Sequence, residues 1–202
     1  MQRSRPALAL RVWTTTLIVL LAPLGARGEV SSLRMTPIVQ AVKEAAPAVV
    51  NIQGQKSVPA APGSAPGAER EVNGMGTGVV IDPRGFILTN YHVVAGVHQI
   101  NVTMQDRRNY IAQIVAHDAR TDLAVIKINA GNSLPTIRVG TSSDLMTGES
   151  VIAIGNAFGY EHTVTRGIIS QLHRDVQVTD TQSYDDLIQT DASINPGNSG
   201  GP

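Results

Sequence analysis

A chain of 202 residues has room for one or two small domains, and a hydrophobic content of 42% is enough to build a core. The absence of cysteine excludes disulfides and any lipid carried on a thiol. Sixteen basic side chains offset 16 acidic ones, and no basic run interrupts the mixture, which argues against nucleic acid as a partner.

Residues 1–28 read as a signal peptide. Arg3, Arg5 and Arg11 precede the apolar run 12–24, and Ala26-Arg27-Gly28 follows with small residues at its ends. Basic, then apolar, then small is the order of a secretory leader. The run is 13 residues long and holds Thr14, Thr15 and Thr16, which is short for a membrane span. An uncleaved anchor is the second reading, and the one that would bring the chain to a membrane. Taking the leader's four arginines from the 16 basic residues leaves 12 against 16 acidic ones, a net charge of −4. An exported chain without disulfides must be held by its core alone.

The first predicted element is a short helix. Thr36 suits an N-cap and Pro37 the first helical position, Ile38, Val42 and Ala45 recur at helical spacing, and Pro47 stops the pattern. Val49 to Gln53 is a predicted strand. The stretch from Val58 to Ala68 is rich in Pro, Ala and Gly, so residues 54–73 are expected as a flexible loop within the domain. Short strands follow at Thr77–Ile81 and Phe86–Thr89, separated by Asp82-Pro83-Arg84-Gly85, which has the residue order of a type I turn. Ile100, Val102 and Met104 alternate with polar residues as in a half-buried strand. Further strands are expected at Tyr110–Ala116, Leu123–Ile128, Ser150–Ile154, Thr163–Leu172 and Leu187–Thr190, with the polar segment 129–135 joining two domains. Many short strands and one early helix predict an all-β barrel or sandwich.

Chemistry concentrates at three places. Ser199 lies in Asn195-Pro196-Gly197-Asn198-Ser199-Gly200-Gly201-Pro202, where glycines let the backbone turn sharply and let N–H groups converge beside a presented hydroxyl. His92 follows an apolar strand, a rigid mount for a base. Asp122 stands directly before another apolar strand, where a part-buried carboxylate needs a donor such as an imidazole. His98 at a strand start, His117 at a strand end, and His162 and His173 in polar loops are expected to be solvated or hydrogen-bonded. No pair of histidines has metal-ligand spacing, so neither a metal nor a cofactor is expected.

The order His92, Asp122, Ser199 is that of chymotrypsin rather than of subtilisin or the α/β-hydrolases. Thr89-Asn90-Tyr91-His92-Val93-Val94, Thr121-Asp122-Leu123-Ala124-Val125 and Gly197-Asn198-Ser199-Gly200-Gly201-Pro202 resemble the signature segments of the HtrA (Deg, peptidase Do) family. Gly155-Asn156-Ala157-Phe158-Gly159 and the segment 163–170 resemble it too, and the likeness spans roughly residues 37–202. The resemblance implies a chymotrypsin-like double β-barrel with the site between the barrels. It implies Ser199 as nucleophile, His92 as general base, Asp122 as the residue orienting the base, and the N–H groups of Gly197 and Ser199 as the oxyanion hole. It further implies a periplasmic, trimer-based protease acting on unfolded or misfolded exported proteins.

Two positions refine the expectation. Digestive relatives carry an aspartate before the serine that pairs with a liberated N-terminus. Asn198 is uncharged, so no such activation switch is expected. Six residues before the serine, where trypsin-like enzymes select basic side chains with an aspartate, stands Ser193, so cleavage after small or medium apolar residues is expected. The expected division is a leader at 1–28, the helix and first barrel at 29–136, and the first part of a second barrel at 137–202. In the resembling family more strands and peptide-binding PDZ domains follow, so the chain is expected to be a fragment with little activity by itself. Two other readings use the same residues: a non-proteolytic chaperone or peptide-binding module of this fold, and a secreted trypsin-like hydrolase without PDZ domains.

Overall fold

The computed structural model describes residues 32–59, 63, 65, 69–156, 162–179 and 182–202. The predicted leader lies outside them, as does most of the low-complexity stretch.

Helix α1 spans Pro37–Ala45, with Pro37 in its first turn. The Thr36 hydroxyl accepts from the Val39 N–H at 3.3 Å, so the predicted cap forms as the sequence suggests. A 3-10 turn at Ala46–Ala48 then feeds strand β1, Val49–Pro59. Strands β2 (Glu69–Asp82), β3 (Phe86–Asn90), β4 (Ile100–Thr103), β5 (Asn109–Asp118) and β6 (Leu123–Lys127) follow. A one-turn helix α2, Tyr91–Val94, lies between β3 and β4. The six strands close into an antiparallel barrel in the order β1-β2-β3-β6-β5-β4.

The barrel interior follows from alternation. Val50 and Ile52 of β1, Ile87 of β3, Val102 of β4 and Ala124 and Ile126 of β6 are all buried, while their sequence neighbours point outward or to the barrel's other contacts. Met104, Ile128 and Leu134 close the cluster. Of the segment 129–135, expected to join two domains, Leu134 is buried in this core and Ala130 packs against it. Leu134 N–H donates to Pro83 O at 3.1 Å and Ile137 N–H to Val80 O at 2.9 Å, tying the segment along the barrel wall.

The second half contributes strands β7 (Ser150–Gly155), β8 (Thr163–Thr179) and β9 (Gln182–Thr190), paired antiparallel in the order β7-β8-β9. The architecture is all-β, a closed six-stranded barrel plus a three-stranded sheet, as the sequence predicts.

Three expectations need correction. Residues 54–59 and 69–73, expected as loop, extend β1 and β2 in continuous register from Gly54↔Gly74 to Pro59↔Glu69, because backbone pairing needs no apolar side chains. The β8–β9 hairpin runs well past Leu172 for the same reason, with repeated register shifts. His173, placed in a loop by its polar neighbours, lies in β8 with a positive φ and pairs through Nδ1 with the Asp186 carboxylate of β9.

Candidate active site

Strand β3 ends at Asn90, and the chain turns at once into α2, so His92 projects from a single helical turn braced on the barrel. Val93 and Val94 of that turn are buried in the barrel core, which fixes the backbone beneath the imidazole. Tyr91, also of α2, stacks on His117 of β5 with ring centroids 4.4 Å apart and planes 8° from parallel. His117, expected as a solvated or hydrogen-bonded strand-end residue, is exposed near the end of β5, and its ring packs beside α2. No sequence signal marks that pairing.

Asp122 sits at the turn between β5 and β6, with φ at +54°. Aspartate tolerates this left-handed conformation better than most residues. Four hydrogen bonds hold it there. Its carbonyl accepts from the Asn90 side-chain amide at 2.9 Å and from Tyr91 N–H at 3.0 Å. Carboxylate Oδ1 accepts from His92 N–H at 2.8 Å, and Oδ2 lies 2.6 Å from His92 Nδ1. A carboxylate only accepts, so Nδ1 carries the proton and Nε2 presents its lone pair. The Asp122 side chain is 15% exposed and the His92 side chain 57% exposed, leaving the free nitrogen open to a reacting group.

The residues feeding this turn are themselves held by charge. Asp118 Oδ1 accepts from Arg120 N–H at 2.9 Å and Oδ2 from the Thr121 hydroxyl at 3.0 Å. These donors, the Arg120 amide foremost, hold the Asp118 carboxyl below its usual range.

Ser199 is positioned from the other half of the chain. Asn195-Pro196-Gly197-Asn198 forms a turn closed by Asn198 N–H to Asn195 O at 3.0 Å, with Gly197 at φ +102°. Proline second and a positive φ third are the marks of a type II turn. The Gly197 and Ser199 N–H groups donate to no backbone carbonyl among the described residues, so both remain available to an external oxygen. Gly200 lies at φ +82° and so close to the barrel that a side chain there would collide with Thr77 O and Thr89 Oγ1. The serine turn is thus pressed onto β2 and β3, two residues from the start of α2.

No hydrogen bond joins Ser199 Oγ to His92 among the described residues. The two are nonetheless on adjoining surfaces: a Cβ on Gly76 would meet the Val93 side chain and Ser199 O together. Catalytic contacts of this kind commonly tighten only when substrate binds. Ser193 is exposed on the segment after β9, its carbonyl accepting from the Thr165 hydroxyl at 2.8 Å. Asn198 is buried, and its Oδ1 occupies the space a Gly155 side chain would need.

Sequence reasoning missed one residue of this site. Thr77 is fully buried in β2 and bonds directly to the serine turn. In the sequence it is one more β-branched residue in a strand.

Residues 76–202 match the family model described as a trypsin-like peptidase domain. The chain is 44% identical over 148 residues to a probable periplasmic serine endoprotease DegP-like protein of Ectopseudomonas mendocina, covering 73% of this chain and 30% of that protein. It is 49% identical over 131 residues to Protease Do-like 1, chloroplastic, of Arabidopsis thaliana, covering 64% and 30%. Among solved structures, the HtrA-type protease AlgW with decapeptide superimposes with a TM-score of 0.67 at 42% identity, over 82% of this chain and 55% of that one. The chain therefore spans about a third of the length of these two curated relatives. On the matched domain, the shared identity and the structural likeness, it belongs to the HtrA/Deg family of trypsin-like serine endoproteases.

Proposed function

We propose that this protein is an HtrA-type serine endopeptidase that hydrolyses unfolded or misfolded exported proteins through an acyl-enzyme. The observation that carries the reading is the two-point grip of Asp122 on His92, one carboxylate oxygen on the backbone N–H and the other on Nδ1. That grip leaves Nε2 without the proton and the imidazole exposed, free to act as a base.

In the proposed reaction, His92 Nε2 takes the Ser199 proton as Oγ attacks the scissile carbonyl. Asp122 keeps the proton of Nδ1 in place and stabilises the imidazolium. The oxyanion develops beside the Gly197 and Ser199 N–H groups, whose donation strengthens as charge builds. His92 then returns the proton to the leaving amine, and water repeats the sequence to release the acid. The neutral Ser193 favours small or medium apolar side chains before the cut, and the uncharged Asn198 makes the site independent of a liberated N-terminus. Relatives named periplasmic, together with the basic–apolar–small leader, support a periplasmic location. A homotrimer or larger trimer-based assembly of the whole protein completes the proposal.

The test is hydrolysis of casein and of a folded control by the full-length protein, beside S199A. Casein cleavage that S199A abolishes, after small or medium apolar residues, is expected. Cleavage that persists in S199A, or binding of casein without any hydrolysis, would overturn the reading.

A further inference from the structure

We propose that Thr77 is a positioning residue for this reaction, its buried hydroxyl and N–H setting the two residues that supply the oxyanion hole. The inference rests on the hydrolytic reading above.

The β2–β3 ladder begins at Val79↔Leu88, so at Thr77 the strand's N–H and C=O have no partner strand on that side. Both groups are used otherwise. Thr77 N–H donates to Ser199 O at 2.8 Å, and Thr77 O accepts from the Thr89 hydroxyl at 2.7 Å. The side chain adds two more bonds: Thr77 Oγ1 donates to Gly197 O at 2.6 Å and accepts from Asn156 N–H at 2.8 Å. One residue, with no exposed surface, thereby joins the serine turn, the end of β7 and the strand leading to His92.

The two carbonyls that Thr77 holds belong to Gly197 and Ser199, the residues whose N–H groups face the reacting oxygen. The Gly197–Asn198 peptide is bonded at both ends, its oxygen to Thr77 and its N–H to Asn195 O. Its plane cannot rotate while both bonds stand. A hydroxyl is required, because only a group that donates and accepts serves Gly197 O and Asn156 N–H at once. Removing it leaves a buried donor and a buried acceptor unpaired, and the turn can relax only by shifting. A misplacement of about 1 Å in such a site costs on the order of a hundredfold in rate.

The experiment compares T77S, T77C and T77V with wild type in the full-length protein. It reads kcat and KM on an unstructured peptide, the rate of organophosphonate attachment to Ser199, and the melting temperature. T77S is expected to keep kcat within about threefold. T77V is expected to lose kcat by about tenfold to a hundredfold, with KM within about threefold and the attachment rate falling in parallel. T77C keeps the side-chain volume but bonds weakly, so it should fall between them and serves if T77V fails to fold. A purely packing role would track volume and stability, so T77S, which loses the methyl group, would suffer while T77V and T77C would not. Wild-type kcat in T77V or T77C, a loss that T77S shares, or a rise in KM with kcat intact each overturns the proposal. Activity lost in S199A beside wild-type kinetics in T77V condemns the Thr77 role alone. Activity surviving in S199A overturns the hydrolytic reading and this role with it.

Discussion

Replacing Asp122 by asparagine exchanges one carboxylate oxygen for an NH2 group and isolates the tautomer that the mechanism requires. The carboxylate accepts from a backbone N–H at 2.8 Å and from the imidazole Nδ1–H at 2.6 Å. An amide offers one acceptor and one donor group in the same space. The backbone N–H cannot become an acceptor, but the imidazole can move its proton. The amide oxygen therefore stays on His92 N–H, and the amide NH2 faces Nδ1. That forces the His92 proton onto Nε2, where it blocks removal of the Ser199 proton. Both hydrogen bonds survive, so the fold should lose only about 1 kcal/mol, the scale of exchanging a charge-assisted bond for a neutral one. The rate should fall by roughly 10⁴, or about 5.5 kcal/mol of barrier. Steady-state kinetics and urea denaturation of D122N in the full-length protein measure both quantities. A kcat within about tenfold of wild type, or a rate loss matched by an equal loss of stability, would refute the argument.

Other outcomes follow from the same coordinates. G200A places a Cβ against Thr77 O and Thr89 Oγ1 at φ +82°, so it should cost at least about 1–2 kcal/mol from backbone strain alone and abolish hydrolysis; a melting temperature equal to wild type contradicts this. I126A opens a cavity in the fully buried barrel core and should destabilise by about 2–5 kcal/mol, read from denaturant midpoints, with residual activity where the protein remains folded. Hydrogen bonds from the Arg84 side chain and amide hold the Asp82 carboxyl at about 2, below its unfolded value of 3.8. The contribution of that turn is thus complete above the unfolded value and disappears as pH falls towards 2. The stability gap between wild type and D82N, small because the pair is exposed to solvent, should narrow across that range; a gap independent of pH contradicts the assignment.

The barrel was readable where side chains alternate. Ile100, Val102 and Met104, or Ala124 and Ile126, announce one buried face each, and closure follows from enough such strands. The α1 cap was readable because Thr36 and Pro37 act locally. The long β1–β2 and β8–β9 hairpins were not, since their outer parts pair through backbone groups whose side chains carry no period. The segment 129–135 reads as polar because one leucine, Leu134, does its packing. At the site, His92, Asp122 and Ser199 stood out through their local sequence, and the structure brings His92 and Asp122 into contact. Thr77 and the Tyr91–His117 stack did not stand out, because both depend on segments that meet only after folding.

The account's central claim is that Ser199 is a nucleophile activated by His92. Mass spectrometry after exposure of the full-length protein to a peptidyl organophosphonate tests this most directly. The account predicts a single adduct on Ser199, forming on the order of a thousandfold more slowly in H92A. Equal labelling rates with and without the imidazole, or an adduct on another residue while Ser199 stays unmodified, would contradict it.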